Sequence, residues 1–487
     1  MAADTGELRF GTPAARWVIA ATVLGSGIAF LDGTIVNVAL PAIGRDLKTD
    51  VAGLQWTLDA YLVTLTAFLL FGGALGDRFG RRKMFVTGLV LFTIASVACA
   101  FAPGAGVLAI SRAFQGAAGA LLVPGSLAII GSSFHDVDRG RAIGAWAGLA
   151  GIASAVGPFV GGWLIDAFSW RWVFLINLPL AIVAVVITLR HVPESRAESQ
   201  LPLDGLGAVL AAVGLASLCY ALIESGHGFG GTEIVSAVVG IGAIAAFLVL
   251  ESRSSHPMLP LRLFRNRQFS GANATTLAVY GALGGALFMV VLELQIALNY
   301  SALEAGASLV PMTLIMFFLS PRSGALAQRI GPRLPMTVGP MVIAVGLLLF
   351  TRIGPGEDYW TTVFPAVIVF ALGLAGTVAP LTSTVLSSVS DAELGIASGV
   401  NNAASRLAGL LSVAVLPSLV HLDTTLLPGV LTARVAVALR ICAAIAVLGG
   451  VIAWLTVGEK PAETQARPAD LMLPCYDPCI DDEASAA

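Results

Sequence analysis

Fourteen stretches of mostly apolar residues follow one another along the chain, each about as long as the ~20 residues a helix needs to cross a bilayer. They fall at 15–40, 53–75, 83–102, 106–130, 141–165, 171–190, 204–223, 232–251, 269–298, 303–326, 333–352, 361–387, 394–421 and 434–456. Inside lipid every backbone N–H and C=O must be paired within the segment, so separate apolar stretches of this length become helices. Composition agrees. Only 12% of the 487 residues are charged, about half the share in a soluble domain. Mean hydropathy is +0.87. A soluble enzyme and a disordered chain are excluded, and the net charge of −3 gives no attraction for nucleic acid. The first segment is too long for a cleavable signal, and no small-residue cleavage site follows it.

Lys and Arg set the expected orientation. With the N-terminus inside, 19 of the 27 basic residues fall in inner segments, from Arg9 and Arg16 to Lys460 and Arg467. Six fall outside (Arg45, Lys48, Arg171, Arg352, Arg434 and Arg440), and Arg112 and Arg406 sit within spans. Both termini are expected in the cytoplasm, with the chain a multi-pass protein of the cell inner (plasma) membrane. Residues 1–14 and the polar tail 457–487 carry no apolar face and read as disordered cytoplasmic segments. Cys99, Cys219 and Cys442 read as small core residues. Cys475 and Cys479 form a CxxxC pair in the tail, read as reduced thiols rather than as a disulfide or metal site.

The chain contains an internal repeat. Gly73-Ala-Leu-Gly-Asp77-Arg78-Phe-Gly80-Arg81-Arg82 follows span two, and Gly324-Ala-Leu-Ala-Gln328-Arg329-Ile-Gly331-Pro-Arg333 follows span ten. Six of ten positions match at an offset of 251. Weaker echoes pair Gly116–Gly119 with Gly373–Gly376, and Ala142–Gly144 with Ala397–Gly399, in the same order. The expected organisation is a six-helix bundle over 15–190, a linker with two extra helices over 191–268, and a second bundle over 269–456. Repeats of this kind place a binding site near the midplane, between the halves.

Four motifs, in a stretch covering roughly residues 15–456, resemble the major facilitator superfamily, and within it the fourteen-span drug:proton antiporters of the EmrB/QacA type. The loop Gly73–Phe85 resembles the family pattern G-x-L-a-D-R-x-G-R-k. The resemblance implies a cytoplasmic latch between the halves built on Gly73, Asp77, Arg78, Gly80, Arg81 and Arg82. Gln328 in place of the acid makes the second copy unequal. Gly148–Gly162 resembles the antiporter pattern G-x8-G-P-x-x-G-G, with Gly148, Gly157, Pro158, Gly161 and Gly162 in its fixed positions. Proline removes a helix hydrogen bond and glycine permits close approach. Leu108–Ala120 resembles the R-x-x-q-G pattern around Arg112, and Leu31–Pro41 resembles the span-one signature of the fourteen-span exporters. The implied fold is the major facilitator fold, two six-helix bundles plus two central helices.

Charges inside spans are costly and usually functional. Asp32 lies 16 residues past Arg16, about 24 Å up a helix, and is paired here with Arg112 as the proton-coupling couple. Glu293 on span nine is the second candidate. Its LELQ context replaces an aromatic that the resemblance leads one to expect. Asn37, Asp59, Gln115, Glu224 and Arg406 are candidates for the substrate cavity. Of these, Asp59 reads as interfacial, near the outer end of span two, and Arg406 as a cation with no evident partner. Asn177 reads as a bridge between helices rather than a cargo ligand. The embedded carboxylates favour cationic cargo, while an anionic cargo would lean on Arg112 and Arg406.

The expected function is secondary active efflux of drugs or other amphipathic, cationic small molecules in exchange for protons, by alternating access. The alternative is a proton-coupled exporter of one metabolite, lipid or self-made antibiotic. No Walker loop, zinc-ligand cluster or nucleophile elbow suggests an enzyme, and the five His are scattered. No metal or cofactor beyond the coupling proton is expected. The expected partners are a small molecule and the lipid bilayer, for a chain acting as a monomer.

Overall fold

A computed structural model describes residues 8–196, 203–228, 230–255, 257–390, 393–423 and 426–459. The expectations for the first seven residues and for the tail with Cys475 and Cys479 lie outside these residues. Among the described residues, fourteen helices are long and apolar enough to cross a membrane. They are α1 (Pro13–Leu47), α2 (Val51–Phe79), α3 (Arg81–Ala100), α4 (Ala105–Ser133), α5 (Asp138–Ala167), α6 (Trp172–His191), α7 (Gly205–Glu224), α8 (Gly231–Arg253), α9 (Arg267–Ala297), α10 (Ala302–Ile330), α11 (Arg333–Phe350), α12 (Tyr359–Ser387), α13 (Leu394–Leu419) and α14 (Pro428–Thr456). Several run past the apolar core of the expected span. Arg434 and Arg440, counted with the outer side at the start of span fourteen, lie within α14, which starts at Pro428.

Local sequence explains where these helices start. Thr12 caps α1 ahead of Pro13, Asp50 caps α2, Asn266 caps α9, and Ser301 with Glu304 forms a capping box on α10. Each side chain accepts from an N–H that the first turn leaves unpaired.

Helices α1–α6 pack together, as do α9–α14. The halves meet where α5 lies on α10, α2 on α13 and α1 on α9. The end of the molecule that carries Leu8 and Glu459 is called the terminal end here, and the opposite end the remote end. One apolar core at the remote end runs through both halves, from Ile35, Leu40 and Leu54 to Met289, Val413 and Leu416. At the terminal end the cores are separate. One is built around Phe85, Phe92 and Ile130, the other around Phe269, Met336 and Val400. Polar bonds across the seam lie at the remote end too. Gln55 donates to the carbonyls of Val413 and Ala414 at 2.6 and 3.1 Å, and Gln295 to that of Val38 at 2.9 Å.

The inserted pair does more than pad the junction. Helix α7 packs on α2 of the first half and α13 of the second, and α8 packs chiefly on α7. Leu215, Cys219 and Ile223 share a core with Ala52 and Val63 on one side and Leu410 and Ala414 on the other.

The repeat is visible as structure. Gly80 and Gly331, at φ +113° and +89°, make matching turns between helices, a conformation that L side chains resist. After each turn comes an arginine held by a glutamate from the end of its own bundle. Arg82 faces Glu194, and Arg333 pairs with Glu459.

Candidate functional site

Two helix breaks shape the interior of the first half. Helix α4 interrupts at Ala120–Leu121, four residues ahead of the missing N–H of Pro124, and α6 interrupts at Ile176, ahead of Pro179. The first break ends the segment that carries Arg112 and Gln115, and the second leaves Asn177 at the start of a new segment.

These residues converge on Asp32. The Asp32 carboxylate pairs with Nη1 of Arg112. It also accepts from Gln115 at 2.9 Å and from Asn177 at 3.1 Å. Arg112 Nη1 donates to Gln115 Oε1 at 2.6 Å, and its Nε to the carbonyl of Thr57 at 2.9 Å. Ser96 receives Gln115 and Asn177, at 2.8 and 3.3 Å. The guanidinium lies 4.2 Å from the Tyr61 ring centroid and 5.7 Å from that of Phe174, within cation–π range. Asp32 and Arg112 are both 0% exposed, which excludes an arginine snorkelling to the interface. Five helices thus build one closed polar network. Burying two ions is tolerable only when charge and hydrogen bonds are both answered, as here.

The other candidates separate. Gln115, expected in the cavity, belongs to this buried network. Asn177 bridges helices as expected, but bridges them to Asp32. Asn37 donates to the carbonyl of Gly33 in its own helix at 3.1 Å. Asp59 is not interfacial. It is 0% exposed, and neither carboxyl oxygen has a hydrogen-bond partner among the described residues. Helix α7 covers the seam where it lies, a contact no local pattern in α2 signals. Glu224, at the end of α7, accepts from the Trp56 indole at 3.4 Å. Glu293 is 2% exposed and opens a π-helical turn, Glu293–Ala297, at the end of α9. It accepts from the Thr432 hydroxyl of α14, and its second oxygen has no partner among the described residues. Arg406 is half-buried at the middle of α13, its guanidinium 5.9 Å from the Phe30 ring centroid of α1.

The loop expected to latch the halves bonds within the first half. Asp77 pairs with Arg81 at 2.8 Å. Arg82 donates to the Val192 carbonyl at 3.1 Å, and Glu194 caps the first turn of α3 through the N–H groups of Arg82 and Lys83. Arg78 lies 5.7 Å from the ring of Phe79. Gly73 sits 3.5 Å (from its would-be Cβ) from Pro124.

The glycine pattern of α5 has two faces. A Cβ on Gly157 or Gly161 would meet Thr34 or Ile35 of α1, each at 2.3 Å. A Cβ on Gly162 would meet the backbone of Ala302 and Leu303 at 2.5 Å, across the seam, and Gly306 of α10 abuts the carbonyl of Pro158. Gly148 faces open space. Asp166, one turn further on, accepts from the N–H groups of Ala302 and Leu303 at 3.2 and 2.8 Å. An acid at a helix start answers both unpaired donors and the dipole. Sequence reading missed Asp166, Gln55 and Gln295. All three act on the other half, and no local pattern signals that.

Two repeated six-helix bundles with a two-helix insert, and charges sealed inside them, define a polytopic membrane transport protein. The chain belongs to the Major Facilitator Superfamily, whose family model matches residues 22–413, and so to a family of transporters rather than enzymes. It is 34% identical over 420 residues to the multidrug resistance protein Stp of Mycobacterium tuberculosis (strain CDC 1551 / Oshkosh), covering 84% of this chain and 76% of Stp. It is 34% identical to the methylenomycin A resistance protein of Bacillus subtilis (strain 168), covering 84% and 88%. It is 33% identical to the probable actinorhodin transporter of Streptomyces coelicolor (strain ATCC BAA-471 / A3(2) / M145), covering 83% and 72%. Among solved structures, a POT family transporter in complex with 5-aminolevulinic acid shares the fold, with a TM-score of 0.69 at 14% identity over 92% of this chain and 97% of that one.

Proposed function

We propose that this protein exports amphipathic, antibiotic-like molecules in exchange for protons, by alternating access, across a plasma membrane with both termini in the cytoplasm. Relatives named for multidrug resistance, antibiotic resistance and antibiotic transport support export. The excess of Arg and Lys at the terminal end supports the orientation.

The observation that carries proton exchange is the Asp32–Arg112 pair, sealed inside the first half. Three donor side chains, of Arg112, Gln115 and Asn177, converge on Asp32, and its network is shut to water. A proton reaching Asp32 removes the charge that answers Arg112, so the pair must part for protonation and re-form for release. Tyr61 and Phe30 link that event to the seam. The Tyr61 ring lies against Arg112, and Phe30 precedes Asp32 by two residues on α1 and lies under Arg406 of the second half. The shared core at the remote end, with separate cores at the terminal end, fits a state closed toward the outside. In that state the Asp32–Arg112 pair is made and cargo enters from the cytoplasm. Protonation from outside follows once the remote end opens.

The test uses a drug-hypersensitive bacterial strain without its own efflux pumps. Expressed there, the chain is expected to raise the inhibitory concentration of at least one of puromycin, tetracycline and ethidium, and a protonophore to abolish the matching dye or drug extrusion. Asp32→Asn is expected to remove protection at equal membrane abundance. Full protection by Asp32→Asn, or extrusion indifferent to the protonophore, overturns the proton-exchange reading.

A further inference from the structure

Arg112 and Arg406 are the basic residues expected deep inside the spans, and the structure treats them differently. Arg112 is answered by Asp32, Gln115 and the Thr57 carbonyl. Arg406 has no ion pair and no hydrogen bond among the described residues, and its buried Nε is left without an acceptor. A guanidinium has five N–H donors in a fixed fork, and an unanswered buried donor costs more than the hydrogen bond it lacks. A position like this is stable in a transporter when something else supplies the acceptor for part of the cycle.

Its surroundings say what that would be. Arg406 stands at the middle of α13, on the seam, half-buried rather than sealed. Its guanidinium faces the Phe30 ring of α1 across the seam at 5.9 Å, and Phe30 in turn lies 6.3 Å from Trp146 of α5. Both rings come from the first half, opposite Arg406, and neither is a carboxylate. The embedded acids that pointed to a cationic cargo are all turned away. Asp32 is spent on Arg112, while Asp59 and Glu293 are at most 2% exposed, one under α7 and the other between α9 and α14. A cation entering the seam meets a like charge, and an anion meets an unpaired fork flanked by flat apolar faces.

We propose that Arg406 is the recognition residue for cargo, and that the cargo is an aromatic acid: a planar molecule whose carboxylate, sulfonate or phenolate takes the guanidinium while its rings stack beside Phe30. This deepens the export reading and rests on it for physiological meaning. Carboxylate and phenolate share the chemistry a planar fork binds.

Two xanthene dyes of similar size and opposite charge test this on purified full-length protein in detergent, by fluorescence polarisation. Fluorescein carries the acid, and rhodamine 123 a cation. Fluorescein is expected to bind more tightly than rhodamine 123. Arg406→Gln is expected to weaken fluorescein about tenfold or more, the range for hydrogen bonds to a charged group. Arg406→Lys, which keeps the charge and loses the fork, is expected to fall between the two. Rhodamine 123 affinity, unchanged or raised in Arg406→Gln, shows that the variant is folded. Should rhodamine 123 bind more tightly than fluorescein in the unaltered protein, or should fluorescein affinity be indifferent to Arg406→Gln, the proposal fails. Vesicle uptake separates the two readings. Arg406-dependent binding of fluorescein without transport upholds the site and defeats export of such acids. Proton-driven transport of rhodamine 123 with no fluorescein binding does the reverse.

Discussion

Arg112 works as a fork. One prong meets Asp32 and Gln115, and Nε meets the Thr57 carbonyl. Removing one member of such a pair leaves the other charge buried and unanswered, at about 3–5 kcal/mol, whereas replacing both by apolar groups is often close to neutral. The pair is therefore expected to show strong coupling in stability. Arg112→Met should lower the melting temperature of the purified protein sharply, and Asp32→Leu combined with Arg112→Met should recover much of that loss while exchange stays abolished. Thermal melts of the single and double variants measure this. Additive losses would mean that the two charges do not stabilise each other. Part of this site was legible in the sequence: a carboxylate and an arginine deep in spans one and four point at each other on the family resemblance alone. Asn177 and Ser96 were not legible as members of the network. A lone polar residue in an apolar stretch carries no sign of direction, and here it is the break before Pro179 that places Asn177. Asp59 misled for the same reason, since its distance from the start of α2 gives its depth but not the neighbour that covers it.

At the scale of the helix, close approach carries the argument. Lipid is as apolar as the side chains, so helices associate through packing and internal hydrogen bonds rather than through escape from water. Helices α5 and α10 meet backbone to backbone at Gly162 and Gly306, and Asp166 caps α10 beside that contact. The glycine pattern was legible. That it faces two ways, Gly157 and Gly161 toward α1 and Gly162 toward the other half, was not, because a helix of glycines has no apolar stripe to orient it. Gly162→Ala puts a methyl 2.5 Å from the backbone of Ala302 and Leu303, and overpacking of this kind costs about 1–3 kcal/mol. The cost falls only on the state in which the remote end is closed. Val38 is 1% exposed there, so Val38→Cys reports opening through its labelling by a membrane-impermeant maleimide. Gly162→Ala is expected to speed that labelling about tenfold, the population shift that 1.4 kcal/mol produces. An unchanged rate would show that the contact does not hold the end shut.

For the whole molecule, the proposed alternating access raises the question of how a helix can lie across a seam that must open. The two-bundle architecture was legible from the spans and the repeat, and Gly80 with Gly331 shows how closely the halves follow one plan. The place of the insert was not legible, because α7 is apolar on all sides and its hairpin partner α8 buries little. In the structure α7 leans on both α2 and α13. Trp56 of α2 donates to Glu224, and Ser418 of α13 donates to the carbonyl of Ile223 at 3.2 Å. If the halves rock apart, α7 must leave one of them. The contact with α2 includes the cover over Asp59, whose exposure to lipid would be costly, so α7 is expected to travel with the first half and slide off α13. Gly226 and Ser418 give a way to stop it, since a Cβ on Gly226 would stand 3.6 Å from that of Ser418, within disulfide reach. Gly226→Cys with Ser418→Cys, in a background with Cys475 and Cys479 replaced by Ser, is expected to lose exchange by about tenfold or more on oxidation and regain it with a reducing agent, as blocking an obligatory step of the cycle requires. Cys99, Cys219 and Cys442 are buried and stay out of the reaction. Full exchange in the oxidised double variant would mean that α7 rides with the second half, and that Asp59 is uncovered once in every cycle.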